Sequence, residues 1–347
     1  MSKKSFCFIL AVVVMAALAS SCGKGEDGKE GAQGPQGERG PEGPANTFVV
    51  TFVYPDGTQS TQTVLSGGWA TQPIVYPRQV NALYAGTVTK TGWCVGDTAE
   101  RFNFDTPITA NTTIRWEPST LPINLDSVAG TTLLDKAFAY VNANPAAYTF
   151  FVVDSINLAG STTRVLSASN AKLTIFSPYV GAAQPSISVS SSAKGRLFAV
   201  GAENVQDNSV SLTIHNVCLS EPQSGNDDSL VYVQNGAAFS LSGEGQVWGE
   251  LVLQATGPNN RTALTLGADW TKRGDNNAVK KLSLRGTHTD VDTVIGYWAN
   301  KPIVIGAGVN AANIGEITLG DFLTTGVDTE AISTSYKINE AGVLVLK

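Results

Sequence analysis

Beyond Tyr148 the chain is a succession of short segments, each four to nine residues long and bounded by Gly, Asn, Asp, Ser or Pro. They are Thr149–Val153, Lys172–Phe176, Ser186–Ser190, Arg196–Val200, Val210–Cys218, Ser229–Gln234, Ala238–Ser242, Glu250–Gln254, Ala263–Leu266, Lys280–Arg285, Thr293–Trp298, Pro302–Ile305, Glu316–Leu319 and Gly342–Leu346. Apolar, β-branched and aromatic residues in runs of this length predict strands, and their flanks predict turns. Strands so short and evenly spaced over roughly 220 residues suit a right-handed parallel β-helix better than a sandwich, because successive coils stack on one elongated core. One helix precedes them. Thr131 or Thr132 can cap it, Leu133, Leu134, Ala137, Phe138 and Val141 fall at helical spacing, and Pro145 stops it. Such a helix is expected to cover an open terminal coil and protect its edge. The fold class is therefore all-β, with one capping α-helix.

Composition removes several functions. Acids outnumber bases 29 to 23, the formal charge is −6, and only two histidines, His215 and His288, occur in 347 residues. No basic field exists to collect phosphates, so no nucleic-acid partner is expected. No phosphate loop, nucleophile elbow or paired-cysteine zinc signal is present, and neither histidine has a ligand partner at metal spacing. No cofactor or metal is expected.

The N-terminus points to export. Lys3 and Lys4 precede an apolar run from Phe6 to Leu18, too short to span a bilayer, which gives way to Ala19, Ser20, Ser21 and Cys22. Residues 1–21 read as a signal peptide. The ending Leu18-Ala19-Ser20-Ser21-Cys22 resembles a bacterial lipobox, with Ala19 where leucine is usual. The resemblance implies that Cys22 becomes the first mature residue and carries diacylglycerol plus an amide-linked palmitate-like chain. Several acyl chains anchor nearly permanently. Removal of Lys3 and Lys4 with the leader moves the charge from −6 to −8. The implied location is the bacterial outer membrane, at the cell surface.

Residues 22–45 follow as a spacer. From Gly25 to Ala45 glycine recurs every third residue, and proline takes the second position in three triplets. The period resembles the collagen-like segments of bacterial surface proteins. A solvated linker in a monomer is expected, with a homotrimeric stalk as the alternative. Either form reaches on the order of 60 Å at about 3.1 Å per residue.

Residues 46–118 form a small β module. Phe48–Tyr54 and Gln59–Leu65 read as strands around the turn Pro55-Asp56-Gly57-Thr58. Val50-Thr51-Phe52, Asp56-Gly57, Gly92-Trp93 and the run Phe102-Asn103-Phe104-Asp105-Thr106-Pro107-Ile108-Thr109-Ala110-Asn111-Thr112-Thr113-Ile114-Arg115-Trp116 resemble the Listeria–Bacteroides repeat, also called the internalin B-repeat. Between them, Gln79 to Val88 departs from the repeat. The resemblance implies a β-grasp-like, non-enzymatic spacer or binding module. Trp93 and Trp116 are expected in its core and Cys94 as a buried small hydrophobe.

Residues 119–347 carry a second resemblance. Thr132–Val141, Tyr148-Thr149-Phe150 and Ile156-Asn157-Leu158, followed by Arg196–Gly201, Val210–Val217 and Leu230–Ala237, are similar to the successive coils of bacterial β-helix surface proteins, with the likeness fading after about 245. Parallel β-helices also include polysaccharide lyases and hydrolases, whose sites need several acids with a base or Ca²⁺. The pairs Asp227 with Asp228 and Asp290 with Asp292, together with Arg261, Lys280 and Lys281, are the side chains such chemistry could use. Each sits among turn residues, so a solvated turn is the expectation. Trp248, Trp270 and Trp298 are read as core with sugar stacking as the alternative. Asp97-Thr98-Ala99, Asp126-Ser127-Val128, Asp154-Ser155-Ile156, Asp228-Ser229-Leu230 and Asp292-Thr293-Val294 resemble an O-glycan acceptor triplet. The function expected is a non-catalytic binding or adhesive role toward a glycan or a host or matrix protein. The alternative is a surface enzyme that degrades polysaccharide.

Overall fold

A computed structural model describes residues 46–55, 57–73, 81–88, 91–98, 100–158, 162–189, 196–203, 205–220, 229–259, 262–274, 276–286, 291–298, 302–306, 314–319 and 336–346. Strands β1 (Thr47–Val53), β2 (Gln59–Leu65), β3 (Ala82–Ala85), β4 (Gly92–Val95) and β5 (Thr112–Glu117) come first. Four of them make one mixed sheet in the order β2-β1-β5-β4, in which β1 and β5 run parallel and both flanking pairs are antiparallel. Gly57, at φ +82°, turns β1 into β2. Phe52, Trp93, Ile114 and Trp116 fill the small core, and the two indoles meet edge to face at 5.2 Å. Cys94 is fully buried beside them.

Helix α1 (Leu133–Ala143) opens the larger region. Thr132 caps it, accepting a hydrogen bond from Asp135 N, and the Asp135 carboxylate accepts from Thr132 N in return. Leu134, Ala137, Phe138 and Val141 are its buried stripe.

Coils then follow. The first holds β6 (Ala147–Phe151), β7 (Ile156–Leu158) and β8 (Arg164–Leu166); the second β9 (Lys172–Phe176), β10 (Ser186–Val189) and β11 (Phe198–Val200). The third holds β12 (Ser211–His215), β13 (Cys218–Ser220) and β14 (Val231–Gln234). In the fourth, β15 (Ala238–Ser242) leads to β16 (Gln246–Ala255). The fifth holds β17 (Ala263–Leu266), β18 (Val279–Gly286) and helix α2 (Val291–Trp298), and the sixth β19 (Val304–Gly306) and β20 (Ile314–Leu319). A hairpin of β21 (Tyr336–Ile338) and β22 (Leu344–Leu346) ends the fold.

Every pairing between coils is parallel. β6, β9, β12, β15, β17 and β19 stack into one sheet; the other coil strands, β7, β8, β10, β11, β13, β14, β16, β18 and β20, form a second, curled sheet. The protein is all-β and β-helix-like. β16 serves both ladders of the curled sheet: its first residues pair with β13, its last with β14, and the register shifts between Val247 and Glu250. The coil repeat is 25 residues from Ala147 to Lys172 and from Ala238 to Ala263, but 39 from Lys172 to Ser211. The ladders stay in register across coils of unequal length. Inward residues such as Leu173, Leu212, Phe239 and Leu264 form one continuous core.

Three features differ from the sequence expectation. Thr293–Trp298, read as a strand, lies in helix α2, so the fold has a second α-helix. Val294 and Trp298, four residues apart, are both buried, which is a helical period that β-branched composition had disguised. Val210–Cys218 is broken into β12 and β13 at Asn216, whose φ of +52° turns the corner. Finally, β3 leaves the span 46–118 and pairs antiparallel with β6, with Leu83 fully buried in the coil core. Helix α1 covers the mouth of the first coil as expected, but the sheet edge at β6 is closed by this strand.

Arg164 points into the first coil, where its guanidinium meets the Asp135 carboxylate at 2.8 Å. Burial alone would raise the Asp135 carboxyl, but hydrogen bonds from Thr131 and Thr132 and the Arg164 charge hold it below its ordinary range. Phe138 stacks on Phe198 at 5.2 Å, joining the helix to the second coil.

Candidate functional site

On the curled sheet, β8, β11, β14, β16 and β18 alternate inward and outward in register. Leu166, Val200, Val233, Leu253 and Leu284 form the inward line and belong to the core. Val165, Ala199, Tyr232, Val252 and Ser283 form the outward line beside it, and Gln234, Gln254 and Arg285 a second outward line. A groove of about 460 Å³ opens at the first three coils, with Val165, Ser167, Arg196, Ala199, Glu203 and Gln234 in its walls.

Local backbone chemistry builds this groove. Gly201, at φ +99°, donates from its N to Leu166 O (2.9 Å) and accepts from Gln234 Nε2 (3.2 Å). Asn235, itself at φ +53°, donates from Nδ2 to Ala202 O (2.6 Å). These amides fix the corner that carries Glu203. A Cβ on Gly201 would lie 2.3 Å from Gln234 O, so only glycine fits. Gly201→Val is expected to destabilise the fold by at least about 2 kcal/mol, read as a lower denaturant midpoint with an unchanged slope. An unchanged midpoint would mean that the corner is not formed in solution.

The Arg196 guanidinium lies 3.9 Å over the Tyr232 ring. Contacts of this kind contribute about 0.5–2 kcal/mol and hold the side chain in place. Burial pushes the Tyr232 phenol up; Arg196 and Arg285 oppose this, and Glu203 adds to it. Thus the charges of two arginines and one carboxylate act on a single tyrosine. Among the described residues, Arg196, Arg285 and Glu203 have no ion-pair partner, and Gln234 Oε1 accepts no hydrogen bond.

The other sheet presents Thr149, Thr174, Thr213, Ser240 and Thr265 in one outward line and Phe151, Phe176, His215 and Ser242 in the next. His215 stacks on Phe176 at 4.7 Å; its Nδ1 is 2.9 Å from Ser242 Oγ and 3.6 Å from Asp269 Oδ2. Burial pushes the imidazole pKa down, and Asp269 opposes the shift. A serine–histidine–aspartate relay needs the serine on one ring nitrogen and the acid on the other. Here both approach Nδ1.

Of the residues singled out from sequence, Cys22, Asp227, Asp228, Arg261, His288 and Asp290 lie outside the described residues, as does the side chain of Asp292. Lys280 is exposed on β18, and Lys281 pairs with Glu250 at 3.4 Å. Trp298 is core, and Trp270 is half-buried with its Nε1 donating to Gly245 O at 3.0 Å. Trp248 stands 41% exposed at the bend of β16. Cys94 and Cys218 are free thiols. In the acceptor-like triplets Thr98, Ser127 and Ser155 are exposed, whereas Ser229 is buried. Among the described residues no group of three or more His, Cys, Asp or Glu is arranged to hold a metal. Sequence reasoning missed Arg196, Glu203, Gln234 and Arg285, because only coil stacking brings them onto one face.

Compared with protein-family models, curated proteins and solved structures, the chain has no match.

Proposed function

We propose that the protein is a lipid-anchored binding protein of the bacterial cell surface, held through Cys22 and displayed on the collagen-like spacer. The groove supports this reading: among the described residues it offers Arg196 and Glu203 without an ion-pair partner and a Gln234 Oε1 that accepts no hydrogen bond. The order β2-β1-β5-β4 with a parallel central pair supports a β-grasp-like repeat between spacer and coils. The coils support a right-handed parallel β-helix as the binding platform. Several acyl chains at about 0.8 kcal/mol per buried methylene would keep the whole on the membrane.

The test combines lipid labelling with surface proteolysis. Cells fed radioactive palmitate should label the wild-type chain and not Cys22→Ala, and protease added to intact cells should remove the labelled ectodomain. An unlabelled wild-type chain would overturn the anchor, and a labelled chain resistant to protease would overturn surface display. Degradation of a glycan by the purified protein would favour the polysaccharide-enzyme reading instead.

A further inference from the structure

We infer that the groove on the curled sheet recognises a uronic-acid-bearing glycan, with the sugar carboxylate on Arg196 and its hydroxyls on Glu203 and Gln234. The inference rests on the binding role proposed above and names the ligand class of the same groove.

Three observations carry it. The first is charge: in a chain of net charge −6, Arg196 lies over Tyr232 in the groove wall without a carboxylate partner among the described residues. Arg196 is held over the ring at 3.9 Å, so its N–H fork is presented at reduced entropic cost. The second is the need for donors. Glu203 and Gln234 Oε1 are acceptors, and the Gln234 amide nitrogen is already engaged with Gly201 O. A ligand that leaves these acceptors unmet loses their hydrogen bonds with water. A sugar acid supplies both an anion and a row of hydroxyl donors, whereas a phosphodiester strand supplies mainly anions.

The third concerns aromatic stacking. Tyr232 is only 8% exposed and Arg196 covers its face, so no platform is left for a nucleobase. The floor beside it is Val165, 43% exposed, and Ala199, small and apolar enough for the C–H face of a pyranose. The outward lines continue through β16 to Arg285 on β18. Val252 and Ser283 on those lines are fully buried, so the sugar is confined to the groove at the first three coils.

The test is calorimetric titration of the full chain in detergent with a hyaluronan hexasaccharide, with its carboxyl-methylated form and with a single-stranded deoxyribonucleotide decamer as comparators. Binding of the acidic hexasaccharide alone is expected, weakening with added salt. Arg196→Gln should lower its affinity about tenfold or more, and Glu203→Gln should lower it while preserving the preference for the acid form. Unchanged thermal unfolding of both variants excludes misfolding; if Arg196→Gln misfolds, Arg196→Lys, which keeps the charge but removes the planar fork, should lower the affinity for the acid form in its place. Equal binding of the acid and its methyl ester, tighter binding of the decamer, or wild-type affinity in Arg196→Gln would overturn the inference. Absence of any binding by a chain that passes the palmitate and protease tests would overturn this ligand class and leave the surface role standing.

Discussion

Asp135→Ala is expected to lower the unfolding free energy by about 3–5 kcal/mol, the cost of leaving a buried guanidinium without its counter-charge. The Arg164 side chain is 5% exposed and that of Asp135 14%, so water can replace little of what the pair supplies. The same change removes half of the capping box on α1. Equilibrium denaturation measures the effect, and a loss below about 1 kcal/mol would show that the pair is hydrated in solution. The double change Asp135→Leu with Arg164→Met should recover much of the loss, because apolar replacement of both partners removes the burial cost along with the attraction.

Acid should act on the same contact. The carboxyl of Asp135 titrates below its unfolded value, so its stabilisation is fully present above about pH 4 and is lost as pH falls through the lowered folded value. In Asp135→Asn the melting temperature should fall less steeply over that acidic range than in the wild type. Equal slopes would assign acid unfolding to other carboxylates.

The second large effect concerns β3. A chain of residues 119–347 retains every coil but lacks the strand that closes β6. It should lose the burial of Leu83, about 1.5–3 kcal/mol, and expose a row of unpaired backbone groups. Asn81, which accepts hydrogen bonds from Val153 N and Asp154 N, and the exchange between Thr149 Oγ1 and the 86–88 backbone would go with it. Association through the open edge is expected, visible as a concentration-dependent mass in sedimentation, while residues 46–347 sediment unchanged with concentration. A monomeric 119–347 with wild-type stability would refute the closing role of β3.

Legibility from sequence followed the range of the interactions. Lys172–Phe176, Ala238–Ser242 and Ala263–Leu266 were readable to the residue, since each alternates inward and outward within itself and is bounded by turn residues. The cap of α1 was readable because Thr132 and Asp135 are local to each other. Ala82–Ala85 was not. Its four residues carry no alternation, and its partner β6 lies far along the chain. Arg164 was unreadable for the same reason: a charged residue inside a coil makes sense only once Asp135 stands over it. The groove follows suit, since Val165, Arg196 and Gln234 belong to three coils and no spacing within one segment connects them.

The parallel pairing of β1 with β5 has a mechanical consequence. A pull applied ahead of residue 46, against resistance met beyond residue 118, drags β1 and β5 past each other along their length. Hydrogen bonds between them then bear load together, in shear, and are not unzipped one at a time. The module between residues 46 and 118 therefore resists tension applied along the chain.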